Sequence, residues 1–134
     1  MLGDLDWHRF ANGDFTAPVA ACRVAPTFVA TLGASNDRLL IHPSIAAKIV
    51  FKHRLTPWHL SLLPIIIDYG TVFRDFDDSL IFAYDEQVIT GKMYFAVVKT
   101  TTERHEIWLR TLYEVRTKHY EKRRKRCSLL RVQE

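Results

Sequence analysis

The sequence is short of several features, and each shortage narrows what the chain can be. Among its 134 residues there are two cysteines, Cys22 and Cys127, far apart and outside any CxxC spacing. That pattern encodes neither a disulfide framework nor a zinc cluster, and it suits a reducing compartment. Glycine and proline occur five times each. No glycine-rich phosphate loop, GxGxxG fingerprint or HExxH pair is present, so nucleotide-driven motor chemistry and zinc hydrolysis have no motif to rest on. No apolar run approaches the ~18 residues of a membrane-spanning helix. The opening MLGDLDWHRF lacks the basic-then-apolar layout of a secretory signal, so none is expected.

What is there is the composition of a folded domain. Hydrophobic residues make up 48% and charged residues 25%, which argues against wholesale disorder. A chain of this size buries roughly two thirds of its unfolded surface, enough for a core. The net charge of +4 is unevenly spread. Residues 113–134 hold eight basic and three acidic side chains, a net of +5, whereas residues 1–112 hold 11 basic and 12 acidic, a net of −1. The body is neutral and the end is a cationic arm, an electrostatic footprint for phosphate, an acidic partner or a membrane surface.

Residues 1–26 carry few signals beyond the turn Asn12-Gly13-Asp14, the helix breakers Pro18 and Pro26, and a short extended stretch over 19–24. A helical turn over 27–32, closed by Gly33, follows. Residues 38–41 read as a short buried strand. Pro43 then opens a first helix running to about residue 54, with Ile45 and Ile49 on one face. Thr56-Pro57 starts a second helix, Pro64 predicts a kink or early end within it, and Gly70 marks its C-cap. Strand patterns follow over 71–76, 80–84, 93–99 and 106–113, separated by turns, and residues 114–126 read as a basic helix. The expected fold is therefore α+β. Two N-terminal helices pack on one face of a three- to four-stranded antiparallel meander, and a basic C-terminal helix or tail follows. The expected division is an N-terminal extension over 1–37, an α+β domain over 38–126 and a tail over 127–134.

Several polar groups suit chemistry as well as structure. Lys52-His53-Arg54 ends the first helix, where cations favour the dipole; there His53 can equally serve as general base or acid and Lys52 can stabilise an oxyanion. Thr111 lies two and four residues beyond Leu109 and Ile107, so strict alternation puts it at the end of an inward face, with Tyr113 next. It is equally a plain β-branched strand residue. Lys99 ends a strand, where a solvated lysine is commonplace. Arg116 can clamp a phosphate or simply sit in solvent. His42, His59, His105 and His119 show no ligand spacing and are read as surface or core residues.

Residues 38–126 resemble the phage-associated branch of the barnase–EndoU–colicin–RelE-like nuclease superfold. The resemblance rests on the order LLIHPSI, FKHRLTP, HLSLLPIIIDYG, VFRD, LIFAY, YFAVVKTT and IWLRTLYEVR running into a basic helix. The first 37 residues lie outside it, and His42 stands where a small hydroxyl residue is frequent. The resemblance implies a small metal-independent ribonuclease, toxin- or effector-like, working without a cofactor in the cytoplasm of a bacterial host cell. In that chemistry the RNA 2′-hydroxyl attacks the adjacent phosphate. Carried over by position, His53 is base or acid, Lys52 and Arg116 hold phosphate, and Thr111 and Tyr113 orient the scissile group. Arg54, Lys99, Lys122, Arg123 and Arg124 are the expected substrate-binding cations, and Trp108 or Tyr94 is expected to stack an unpaired base. RNA is the expected partner, with an acidic cognate inhibitor as a further one. The alternative is a non-catalytic binding module on the same scaffold, such as a phage inhibitor that holds nucleic acid or a host defence protein.

Overall fold

The computed structural model describes residues 4–13, 15–76 and 78–133. Asp14, in the turn read above, and Asp77, in the turn expected between residues 76 and 80, lie outside the described residues, as do residues 1–3 and 134. Among the described residues the chain forms six helices and seven strands. In order these are α1 (Asp4–Ala11), β1 (Val19–Arg23), α2 (Pro26–Leu32), β2 (Arg38–Ile41), α3 (Pro43–Phe51), α4 (Pro57–Ser61) and α5 (Leu63–Tyr69). Then come β3 (Thr71–Phe76), β4 (Ser79–Glu86), β5 (Lys92–Thr100), β6 (Ile107–Val115), α6 (Thr117–Arg126) and β7 (Ser128–Arg131).

The α+β class holds, but the architecture differs from the expected small meander. One seven-stranded sheet runs in the order β1-β2-β6-β5-β4-β3-β7. It is mixed. β2 pairs parallel to β6 through Leu39–Ile107 and Leu40–Trp108, and every other pairing is antiparallel. The meander β3–β6 is the centre of the sheet, not the whole of it. The β1–β2 pair extends it on one side and β7 on the other. Local periodicity marks a strand but not its partner, which is why a short strand at 38–41 did not announce a parallel neighbour almost seventy residues away. Residues 128–131, expected in a tail, add the seventh strand beside β3.

Local signals explain most of the helices. Pro43 occupies the first turn of α3, where its missing N–H costs nothing. His42 is the N-cap, its Nδ1 accepting the Ser44 N–H at 3.1 Å. Gly33 closes α2 at φ 64°, the left-handed geometry glycine tolerates. The helix expected over 57–69 is two helices that break at Leu62, with Pro64 in the first turn of α5. Gly70 follows with φ −64°, so its use is room rather than torsion: a β-carbon there would lie 2.6 Å from the Ile66 carbonyl oxygen and 2.8 Å from that of Ala83.

The sheet is covered on both faces, which also departs from expectation. The larger core joins α1–α5 to Leu39, Ile41, Leu80, Phe82, Tyr94, Ala96, Val98, Ile107, Leu109 and Leu112. The opposite face carries Phe73, Ile81, Ala83, Phe95 and Val115, with Tyr113, Tyr120 and Cys127 packed against them. α6 lies over this second face, and its Tyr120 ring meets Phe73 at 5.7 Å and Phe95 at 6.4 Å. It is uniformly polar on its outer side and held by His119, Tyr120 and Arg123 at helical spacing.

One irregularity in β6 decides which face carries the polar groups. Val97 pairs with Thr111 but Val98 pairs with Leu109, so Arg110 is an extra residue bulged from the ladder. Ile107 and Leu109 face the larger core; beyond the bulge Leu112 takes that role instead. Strict alternation would have put Thr111 beside Leu109. The bulge instead turns Thr111 and Tyr113 to the second face, over the edge that β2 leaves open.

Candidate active site

The site forms where the end of α3 reaches that open edge of β6. α3 ends at Lys52, whose N–H donates to the Lys48 carbonyl at 2.8 Å. Arg54 then takes φ 57°, a left-handed torsion costing on the order of 1–3 kcal/mol for a non-glycine residue. The chain reverses there, and the Leu55 N–H donates to Ile49 at 3.2 Å while the Leu55 side chain anchors in the core. His53 sits between the helix end and this reversal, held outward over β6.

Its imidazole meets two of the residues singled out from the sequence. His53 Nε2 and Thr111 Oγ1 are 3.2 Å apart, a hydrogen bond whose direction follows the tautomer. The His53 ring lies 5.8 Å from that of Tyr113, centroid to centroid. Burial holds the His53 pKa below its usual 6.5, helped by the Lys48 and Lys52 charges. The imidazole is therefore neutral near pH 7, the form that accepts a proton. Burial pushes the Tyr113 phenol up; Arg123 pulls it down and Asp75 pushes it further up. Tyr113 stays a hydrogen-bond donor through the physiological range.

Arg123 comes from α6 and donates from Nη1 to Asp75 Oδ1 at 3.3 Å. The pair is partly shielded, with 31% of the Arg123 and 18% of the Asp75 side chain exposed. The Cys127 Sγ approaches the same carboxylate at 3.8 Å. Burial, then the Asp75 charge, raises the Cys127 thiol pKa, so it remains protonated rather than nucleophilic. Next to Tyr113 lies Phe95, at 5.9 Å, and on Phe95 rests the exposed ring of His119, at 5.8 Å.

The remaining expected residues separate into near and far. Lys52 is exposed and bears on the site through its charge on His53 rather than by contact. Arg54 is exposed and serves the chain reversal. Lys99 shares a face with Val97 but lies two residues beyond the Val97–Thr111 pair, and it is bridged to Asp78 at 3.6 Å. Arg116 is five residues beyond Thr111, roughly 16 Å along an extended strand at ~3.3 Å per residue. It opens onto a different cleft, lined also by Asp85, Lys92, Met93, Glu114 and Tyr120. Arg116 and His53 therefore do not meet on one phosphate. Arg123 acts on Tyr113 through its charge while it is bound to Asp75 of β3, three strands across the sheet from β6. Lys122 and Arg124 are exposed on α6.

One of the two expected stacking residues is corrected as well: Tyr94 is fully buried, its hydroxyl donating to Thr90 Oγ1 at 3.2 Å, whereas Trp108 is partly exposed. His42 is a helix cap, and His59 Nδ1 accepts the Thr56 N–H at 2.9 Å to close the start of α4. Asp75 was not singled out, because an acidic residue at a strand's irregular end reads as an ordinary turn charge. His119 was passed over for want of ligand spacing; its i, i+4 relation to Arg123 on a helix is the signal that could have found it.

No family model matches the chain, and neither a curated protein nor a solved structure matches it. No helix among the described residues is long and apolar enough to cross a membrane.

Proposed function

We propose that the His53–Thr111–Tyr113–Arg123 face binds an RNA phosphodiester and cleaves it by attack of the 2′-hydroxyl, as in the nuclease superfold that residues 38–126 resemble. The observation that carries this reading is the 3.2 Å approach of His53 Nε2 to Thr111 Oγ1 beside the Tyr113 ring, on which the Arg123 charge acts from α6. Neutral His53 takes the 2′-hydroxyl proton. The 2′-oxygen bonds to phosphorus, charge builds on the non-bridging oxygens, and the bond to the 5′-oxygen breaks. Arg123 has donors beyond the one given to Asp75 and offsets the developing charge. Tyr113 is the protonated group available to the leaving oxygen, and Thr111 holds the imidazole in place. The product is a 2′,3′-cyclic phosphate. The exposed cations of α6, Lys122 and Arg124 among them, supply affinity for the flanking phosphates.

Incubation with total bacterial RNA in EDTA tests this. Fragments with 2′,3′-cyclic ends from the wild type and their loss in His53→Ala are expected; intact RNA from the wild type would refute it. A second reading, a non-catalytic RNA-binding module, draws on one feature. His53 and Arg123 already have partners in Thr111 and Asp75, so the face is self-satisfied without substrate. Salt-dependent RNA binding without products would favour that reading.

A further inference from the structure

Apart from the His53 face, β7 leaves both backbone and apolar side chains open to a partner. β7 stands at the edge of the sheet, paired on one side with β3 alone. An edge strand presents a row of backbone donors and acceptors to any chain that can lie alongside, and proteins commonly blunt such edges with charge or proline. β7 is not blunted. Leu129, Leu130 and Val132 are 42%, 40% and 58% exposed, three large apolar side chains within four residues. The strand is nevertheless firmly set. Arg131 donates from Nε to Gly70 and from Nη2 to Ile67, gripping the end of α5. The Gln133 N–H donates to Thr71 Oγ1, and its side chain both accepts from and donates to the backbone of Asp85. A rigid, apolar, open edge is what strand addition requires.

Charge selects the occupant. The last turn of α6 is Arg123, Arg124, Lys125 and Arg126, and it leads through Cys127 directly into β7. Arg124, Lys125 and Arg126 are exposed. A second copy pairing edge to edge would add a second arm of net +5 to this edge. We propose that β7 receives an extended segment of a partner protein in which acidic and apolar residues alternate. Its backbone extends the sheet to an eighth strand. Its apolar side chains pack on the exposed apolar side chains of one face of β7, and its carboxylates, on the other face, are drawn to the charge of Arg124, Lys125 and Arg126 where α6 runs into the strand. This surface stands on its own, whether or not the His53 face is catalytic.

The test uses the full chain and an eight-residue peptide of alternating glutamate and valine, with the lysine–valine peptide as its control. Binding is followed by fluorescence anisotropy and by amide hydrogen exchange over residues 128–132. The glutamate peptide is expected to bind, to slow exchange on β7, and to weaken at least about tenfold between 50 and 500 mM salt. The lysine peptide is expected not to bind. Leu130→Lys, a substitution at an exposed edge position, is expected to lower affinity at least about tenfold with the melting temperature unchanged. Lys125→Glu with Arg126→Glu leaves the strand intact and is expected to reject the glutamate peptide and accept the lysine one. Equal binding of both peptides, protection outside β7, or a dimer of the free chain at micromolar concentration would each overturn the proposal.

Discussion

Gly70→Ala tests how tightly the helical layer is set on the sheet. The substituted β-carbon would lie 2.6 Å from the Ile66 carbonyl oxygen and 2.8 Å from that of Ala83, one at the end of α5 and the other in β4. Ordinary carbon–oxygen contact is about 3.3 Å, so the two backbones must part by roughly half an ångström or more, and close-packed interiors resist that. Neither obstacle is the end of a flexible side chain. Overpacking of this kind costs about 1–3 kcal/mol. The same shift strains the Gly70 N–H bond to Ile66, at 2.9 Å, and the Arg131 Nε bond to the Gly70 carbonyl, also 2.9 Å, which adds up to about 1 kcal/mol each. Loss of glycine's freedom in the unfolded chain returns about 0.4–1 kcal/mol. With mid-range values the net expectation is a destabilisation of about 2 kcal/mol, read as a lowered urea midpoint with an unchanged slope. Because Arg131 belongs to β7, faster amide exchange at 128–131 should accompany it. A variant within about 0.5 kcal/mol of the wild type would refute the close approach.

Three further outcomes follow from the same geometry. His53 should titrate below 6.5 by NMR, and Lys48→Gln or Lys52→Gln should each move it upward; since the folded pKa is depressed, His53 favours the fold above pH 6.5 and that contribution disappears as pH falls through the folded value. Glu86, its carboxylate accepting the N–H groups of Val88, Ile89 and Thr90 and the Thr90 hydroxyl, has a pKa lowered to about 2. Stability should therefore fall with pH from about 4.5 to about 2, and Glu86→Gln should flatten that dependence and speed exchange at 88–90. Asp75→Asn should release Arg123 toward phosphate, so RNA affinity is expected to rise severalfold in filter binding; a fall would mean that Asp75 positions Arg123 rather than competing for it.

Much of this fold is written in local chemistry. Pro43, Pro57 and Gly33 mark helix ends because torsion and missing donors act on single residues. The β4–β5 hairpin follows from alternation either side of a turn. The parallel β2–β6 pair does not, because nothing in Arg38–Ile41 says which strand it will meet. β7 escaped because four residues after a run of cations read as a frayed end. The Arg110 bulge escaped because alternation is assumed to continue until a glycine or proline interrupts it, and here neither does. The same limits govern the site. His53 was legible from a cation-rich helix end, whereas the Asp75–Arg123 pair depends on α6 folding back across the second face.

The most direct measurement is an NMR titration of the labelled protein with a 2′-O-methyl RNA oligomer, which can bind but cannot be cleaved by its own 2′-oxygen. The account predicts that the His53 ring, the Thr111 amide, the Tyr113 ring and the Arg123 guanidinium shift together and saturate with one affinity. Shifts confined to the outer side of α6, with His53 and Thr111 unmoved, would contradict it.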